Sequence, residues 1–294
     1  MCTRIKRESH VVPMSVQAMR LSDYVGGIFQ SIPSRKGMKK AIKKNLVFVN
    51  GELASTARYL NGGEVIDLYA EEHTEQPVLK LSLSVLYEDD YLAVVNKPSG
   101  ILVSGNRFRT LENALSYNLQ KSVSMDQLPQ ARPVHRLDFP TSGVLLIAKT
   151  SSALRALKKQ FEDHQIQKIY HAVVTQKIAN CGIIEQPIEG KWASTSFRVL
   201  DAVVSAKYDY LSLLEVKILT GRRHQIRIHL SQKGNPILGD STYGKEGFLT
   251  RGNSLYLHAS TLAFQHPITR KSVEVHQALP RKFEKIFNTT AVAS

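Results

Sequence analysis

The chain has 294 residues, 43% of them hydrophobic, and carries 39 Lys and Arg against 25 Asp and Glu, a formal charge of +14. That is enough apolar material for a sizeable core, and a surplus of positive charge that points to a polyanionic partner, nucleic acid first. Two cysteines, Cys2 and Cys181, exclude a disulfide framework and a thiolate-rich metal site, and no apolar run nears the roughly 18 residues of a membrane span.

Residues 1–18 carry Arg4, Lys6 and Arg7 without the apolar stretch of a secretory signal and read as a loose tail. Leu21, Val25, Ile28 and Phe29 then recur at helical spacing, and Ser34 offers an N-cap for a second helix running to about Lys44. On that second helix Lys36, Lys39, Lys40 and Lys43 share one face while Met38, Ala41 and Ile42 lie opposite, so it can pack on its own domain and still face a phosphate backbone. The first 50 residues, a sixth of the chain, hold more than half of its net charge. "LVFVNGELA" alternates around Asn50-Gly51, a hairpin signal, and "YLNGGEVIDLY" supplies another turn and strand.

Residues 19–70 thus resemble the alpha-L RNA-binding motif, the ribosomal S-four type domain, through Ser34-Arg35 and Val49-Asn50-Gly51. Asn45 stands where glycine commonly ends the basic helix, and asparagine tolerates the left-handed conformation next best. The resemblance implies that Arg35, Lys36, Lys39, Lys40 and Lys43 contact RNA. The polar stretch 71–80 reads as a linker to a second domain, 81–294.

That second domain reads as many strands with few helices. "LSVLYEDDYLAVVNKPSG" is a hairpin turning at Glu88-Asp89-Asp90, followed by a turn at Lys97-Pro98-Ser99-Gly100. "VLLIAKT" is strand-like and leads to a helix capped near Thr150 or Ser151, and "KIYHAVVTQ" alternates again. "LSLLEVKILTGRRHQIRIHLSQKGNP" reads as a strand to Thr220-Gly221, then a helix ending at Gly234 with Arg223, His224 and Arg227 on one face.

Several chemistries lose support at this point. The one acidic cluster, Glu88 to Asp90, sits at a hairpin tip, where solvated turn residues are expected rather than metal ligands. His224 and His229 stand about 140° apart around a helix and cannot grip one metal. No glycine-rich phosphate loop is present. What remains is cofactor-free chemistry by one carboxylate on a polyanion. In "HRLDFPTSG", residues 135–143, Asp138 is such a group: an aspartate, with an ordinary pKa of about 3.9, is ionised at neutral pH and can act as a nucleophile at a sugar or base carbon.

"HRLDFPTSG" is similar to the aspartate motif of the RluA-type pseudouridine synthases. "NKPSG", "KIYHAVV", "GRRHQIRIHL" with "PILGDSTYG", and "LYLHA" at 255–259 resemble that family's other motifs, in its order, over nearly all of 81–294. The resemblance implies an α+β fold, a mixed and mainly antiparallel sheet around a central cleft, and isomerisation of uridine to pseudouridine within RNA without metal or other cofactor. It carries over Asp138 as the catalytic carboxylate, Arg227 as its partner across the cleft, and Tyr170 as the ring against the target uracil. Arg136 would support the opened RNA. His135, Thr141, Arg222, Arg223, His224 and Gln225 are carried over as RNA- or substrate-binding residues. Ile226 and Leu257 would form an apolar floor, with Lys97 and Pro98 supporting the rim, and Lys97, Ile226 and Leu257 are also carried over as RNA- or substrate-binding residues. Asp240, the rival acid, is expected to tie its loop down. The implied partner is ribosomal RNA of the large subunit, with transfer RNA as the alternative, for a cytoplasmic monomer that touches no membrane. Two other classes remain beside it: a non-catalytic RNA-binding or ribosome-assembly factor on the same scaffold, and a metal-dependent nuclease.

Overall fold

The computed structural model describes residues 4–32, 34–71, 78–244 and 255–287. The chain divides into two compact units, Met1–Gln76 and Pro77–Ser294. Of the stretch 71–80 read as a linker, residues 72–77 lie outside the described residues, as do residues 1–3 of the expected tail.

In the first unit, β1 (Arg4–Val11) leads to β2 (Met19–Arg20), α1 (Leu21–Tyr24) and α2 (Arg35–Lys43), followed by β3 (Val47–Val49), β4 (Glu52–Leu53), β5 (Tyr59–Leu60) and β6 (Val65–Glu71). Two expectations are corrected. The tail contributes a strand, because β1 pairs antiparallel along the whole of β6. Its anchors are polar and so leave no apolar pattern: Lys6 and Ser9 both bind Asp67, at 2.7 and 2.6 Å, and His10 Nε2 meets Tyr24 Oη at 2.7 Å. The first helix stops at Tyr24 instead of running on to Phe29, since Gly26-Gly27 follow and Gly27 adopts φ +91°. The second helix matches its reading: Ser34 Oγ caps Gly37 N–H at 3.1 Å, Met38, Ala41 and Ile42 are buried, and Asn45 ends it at φ 58°. Asn50 and Gly51 make the hairpin turn, both at positive φ.

The second unit is built on a ten-stranded sheet. It begins with β7 (Ser84–Glu88) and β8 (Leu92–Lys97), passes the short α3 (Leu115–Asn118) and β9 (Gln127–Pro133), and enters β10 (Ser142–Thr150) and α4 (Ser151–Glu162). Then come β11 (Gln167–Thr175), β12 (Cys181–Glu185), β13 (Ser194–Ser205), β14 (Asp209–Ile218), α5 (Gln225–Gln232), β15 (Leu257–Gln265), β16 (Ser272–His276) and α6 (Arg281–Phe287). The order is β12-β13-β14-β11-β15-β10-β8-β7, with β9 also pairing β10 and β16 also pairing β15. Among the described strands only β10 and β15 pair in parallel, so the sheet is mixed and mainly antiparallel and the α+β expectation holds. β10 is central and buried on both faces, as its unbroken run Val144–Ala148 requires. β9 contains Pro129 and Pro133 and serves as a branch strand with one partner.

Glu88–Asp90 is not a solvated tip. Asp89 accepts from the N–H groups of Tyr91 and Leu92, from Tyr87 Oη and from His266 Nε2, while Lys149 Nζ meets Glu88 at 2.8 Å. The cluster clasps strand ends together. α5 also begins later than its reading: His224 is left-handed at φ 55°, so Arg223 and His224 lie in the turn before the helix, not on its face. Among the described residues no helix is long and apolar enough to cross a membrane.

Candidate active site

β9 feeds a loop, residues 134–141, that turns into β10 and carries Asp138. The turn closes with Thr141 N–H donating to the Asp138 carbonyl at 3.1 Å. The segment after β8 clamps it from beneath. Lys97 Nζ donates to the carbonyls of Pro98, Phe139 and Thr141, Ser99 Oγ to that of Pro140, and Gly100 N–H to that of Phe139. Lys97 therefore does not stand at the rim, where it was expected; it is fully buried, and only Pro98 is exposed. Burial pushes the Lys97 ammonium down to about 7, against the opposing pull of the Asp138 charge. Gly143 completes the clamp. At φ +120° it lets β10 approach β15 so closely that a Cβ there would lie 2.0 Å from the Ala259 carbonyl oxygen.

Arg227, on the first turn of α5, supplies the charge facing that loop. Its main partner is Asp240, not Asp138. Nε and Nη2 grip the two Asp240 oxygens at 2.8 Å each, Nη2 also reaches Thr242 Oγ1 at 3.0 Å, and Nη1 stands 3.4 Å from Asp138 Oδ2. Asp240 is fully buried and accepts further from the N–H groups of Thr242 and Tyr243. Burial alone would raise its pKa, but Arg227 and those N–H groups hold it below the ordinary carboxylate range. The two-pronged contact fixes the guanidinium plane and leaves one edge for Asp138.

His224 approaches Asp138 from the other side, Nε2 to Oδ1 at 3.7 Å, with its Nδ1 on Tyr243 Oη at 3.0 Å. Burial lowers the imidazole pKa and the Asp138 charge works against that. In front of Asp138 lies a cavity of about 130 Å³, on the scale of the ~150 Å³ cavity that accepts a single benzene ring elsewhere. Tyr170 on β11, Ile226 on α5 and Leu257 on β15 form its apolar walls. Burial, with the Asp138 charge, raises the Tyr170 phenol and keeps it protonated. Arg136, Arg222 and Arg223, all exposed, stand around the mouth. Thr141 also lines the cavity, its Oγ1 buried with no partner.

Three residues read as ligand contacts do other work. His135 is absent from the cavity: its Nε2 accepts from Leu146 N–H at 3.1 Å, its ring packs on Phe161, and burial holds it neutral, down to about 3. Gln225 lines the cavity but spends its amide on the turn, accepting from Thr220 Oγ1 and Arg222 N–H and donating to the Ser194 carbonyl and Thr195 Oγ1. Lys97 is the third, as described above. The basic residues Arg35, Lys36, Lys39, Lys40 and Lys43 belong to the first unit, where all five are exposed. Thr242 and Tyr243, within "PILGDSTYG" but outside the expected site, also serve Arg227: Thr242 Oγ1 accepts from it and the ring of Tyr243 lies 5.1 Å from its guanidinium. Among the described residues no three His, Cys, Asp or Glu side chains group to hold a metal ion. The arrangement is one carboxylate beside a ring-sized apolar slot with arginines around its mouth, suited to nucleophilic or general-base chemistry by that carboxylate on a polyanion.

A family model described as RNA pseudouridylate synthase matches residues 91–232. The chain is 35% identical over 283 residues to an "Uncharacterized RNA pseudouridine synthase" of Aquifex aeolicus, covering 87% of this chain and 89% of that one. It is 31% identical to ribosomal large subunit pseudouridine synthase D of Pasteurella multocida (94% and 92% covered) and 31% to synthase C of Vibrio vulnificus (91% of each). The solved structure of human RNA pseudouridylate synthase domain containing 1 superposes with a TM-score of 0.57 at 29% identity, over 71% of this chain and 86% of that one.

Proposed function

Because the chain belongs to the RNA pseudouridylate synthase family, we propose that it converts uridines of large-subunit ribosomal RNA to pseudouridine, with Asp138 as the catalytic carboxylate. The enzyme is an isomerase. The bond from uracil N1 to ribose C1′ breaks, a bond from C5 to C1′ forms, C5 gives up its proton and N1 gains one.

One observation carries the residue assignment: Asp138 lies at the base of a ring-sized slot, flanked by Arg227 at 3.4 Å and His224 at 3.7 Å, with Tyr170, Ile226 and Leu257 as walls. A uracil taken out of its stack fits such a slot, and unstacking is offset by contact with an aromatic ring, worth roughly 1–3 kcal/mol. Asp138 then meets the ribose, either by attack on C1′ or by removal of a sugar proton. Arg227 holds the carboxylate in place, and the protonated Tyr170 phenol gives a ring face and a hydrogen-bond donor. Arg136, Arg222 and Arg223 take the flanking phosphates.

The large-subunit target is supported by what the relatives are named for. For the first unit we propose an S-four type RNA tether, supported by Lys36, Lys39, Lys40 and Lys43, which are exposed and have no ion-pair partner among the described residues. The test is to incubate the protein with unmodified large-subunit RNA and with unmodified transfer RNA, each tritiated at uridine C5, and to map the products. Release from ribosomal RNA at discrete sites is expected. Release from transfer RNA alone would reassign the substrate, and release from neither would overturn the proposal.

A further inference from the structure

A second cavity, of about 530 Å³, opens on the other face of the large sheet. Leu257 lines the slot in front of Asp138, while His258, its neighbour on β15, lines the second cavity, and consecutive strand residues point to opposite faces. The walls come from the end of β8 and the start of β10, at Asn96 and Ser142, and from the segment entering α6, at Gln277, Arg281 and Lys282. Its volume lies within the range of small-molecule sites, roughly 300–1,000 Å³.

This cavity is incomplete in charge and in hydrogen bonding. No carboxylate lines it. The exposed Arg281 has no ion-pair or hydrogen-bond partner among the described residues. Lys282 donates to the Leu255 carbonyl at 2.6 Å and lies over the Tyr256 ring at 4.6 Å, which leaves two of its N–H donors unspent. Burial pushes that ammonium down to about 8, with no acidic neighbour to restore it. On the opposite wall, His258 Nδ1 is engaged by Ser142 Oγ at 2.8 Å; its buried Nε2 makes no hydrogen bond of ordinary geometry, with the Gln277 backbone as its nearest polar neighbour, and Asn96 Oδ1 is buried without a partner.

We propose that this rear cavity binds a phosphate group, held by Arg281, Lys282 and His258. Phosphate oxygens accept from the Arg281 fork and from the spare N–H donors of Lys282. When Ser142 O–H donates to His258 Nδ1, the proton sits on Nε2 and points at the phosphate. Asn96 presents an acceptor there, and a half-turn of its amide presents the NH2 instead. Ser142 follows directly on the loop that carries Asp138, so an occupied rear site braces that loop from behind. The phosphate is either free or part of a bound RNA chain.

The experiment follows the His258 imidazole resonances of the labelled full-length protein, assigned by their loss in His258→Asn, during titration with inorganic phosphate. Sodium chloride at matched ionic strength is the control. A saturable shift in the wild type, with affinity at least tenfold weaker in Arg281→Gln/Lys282→Met, is the expected result. Should the double variant fail to fold by circular dichroism, the exposed Arg281→Gln alone serves, with a loss of at least threefold expected. The absence of a saturable shift in the wild type, an equal shift with chloride, or unchanged affinity in the folded variant overturns the proposal. Substrate RNA separates the sources. If RNA moves the same resonances and phosphate competes, the occupant is an RNA phosphate; if only inorganic phosphate moves them, it is free phosphate. Tritium release by the variants reports separately on the synthase activity, so failure of one leaves the other standing.

Discussion

Replacing Asp240 by asparagine tests whether the buried pair behind Asp138, the proposed catalytic carboxylate, sets its geometry. Arg227 has a side-chain exposure of only 4% and Asp240 of 0%, and two 2.8 Å bonds join them. Breaking a buried pair by neutralising one partner costs about 3–5 kcal/mol. Asparagine keeps one acceptor oxygen for the guanidinium and loses the other to an NH2 facing a cation, so a loss near 3 kcal/mol is expected. The remaining carboxylate within reach of Arg227 is then Asp138, now 3.4 Å away. The unpaired cation should draw it in by about half an ångström, toward an ordinary charge-assisted length of about 2.8 Å, and away from the slot. Misplacement on that scale costs roughly 10-fold to 100-fold in rate. Urea denaturation and single-turnover tritium release from saturating RNA measure the two effects, with RNA affinity expected to stay near wild type. A stability loss below about 1 kcal/mol together with a wild-type rate would refute the reasoning.

Gly143→Ala places a methyl 2.0 Å from the Ala259 carbonyl oxygen at a φ of +120°, so β10 and β15 must separate; a loss of about 3 kcal/mol is expected by denaturant melting, and an unchanged midpoint would contradict the close approach. Acid should destabilise the fold through its buried histidines. His135 and His258 are lowered to about 3 and 4 from 6.5, so below pH 6.5 the unfolded chain binds protons that the folded chain refuses. Stability therefore falls from about pH 6.5 to 4, by at most about 1.4 kcal/mol per pH unit for each such residue, and His135→Gln should flatten the slope seen in melts at pH 7, 6 and 5. In the first unit, Lys36, Lys39 and Lys43 changed together to Gln should reduce the slope of log affinity against log salt by about 2–3, with the rate at saturating RNA retained; an unchanged slope would remove that helix from the RNA interface.

Local chemistry was legible where a residue acts on its own neighbours in sequence. Ser34 and Thr150 cap their helices, Asn45 and Gly234 end theirs in left-handed conformations, and Asn50-Gly51 turns a hairpin, each from side-chain or backbone preferences that need no tertiary context. β1 was invisible because its anchors, Lys6, Ser9 and His10, are polar and find their partners only in the folded unit. The site was half legible. Family motifs brought Asp138, Tyr170 and Arg227 onto one list, and the fold gathers them round one slot. They could not reveal that Arg227 spends its best geometry on Asp240, that Lys97 is buried under the loop it supports, or that His135 and Gln225 bind the backbone. A lysine or glutamine in a motif looks the same whether it faces a ligand or a row of carbonyls; only burial and partner distances separate the two.

The most direct measurement is tritium release from C5-labelled uridine RNA by Asp138→Asn under single-turnover conditions, beside its RNA affinity. The variant keeps the side chain's size and removes its charge, so release should fall below detection while RNA is bound with near wild-type affinity. Release at the wild-type rate by a correctly folded Asp138→Asn protein would contradict the assignment of this carboxylate as the group that acts on the ribose.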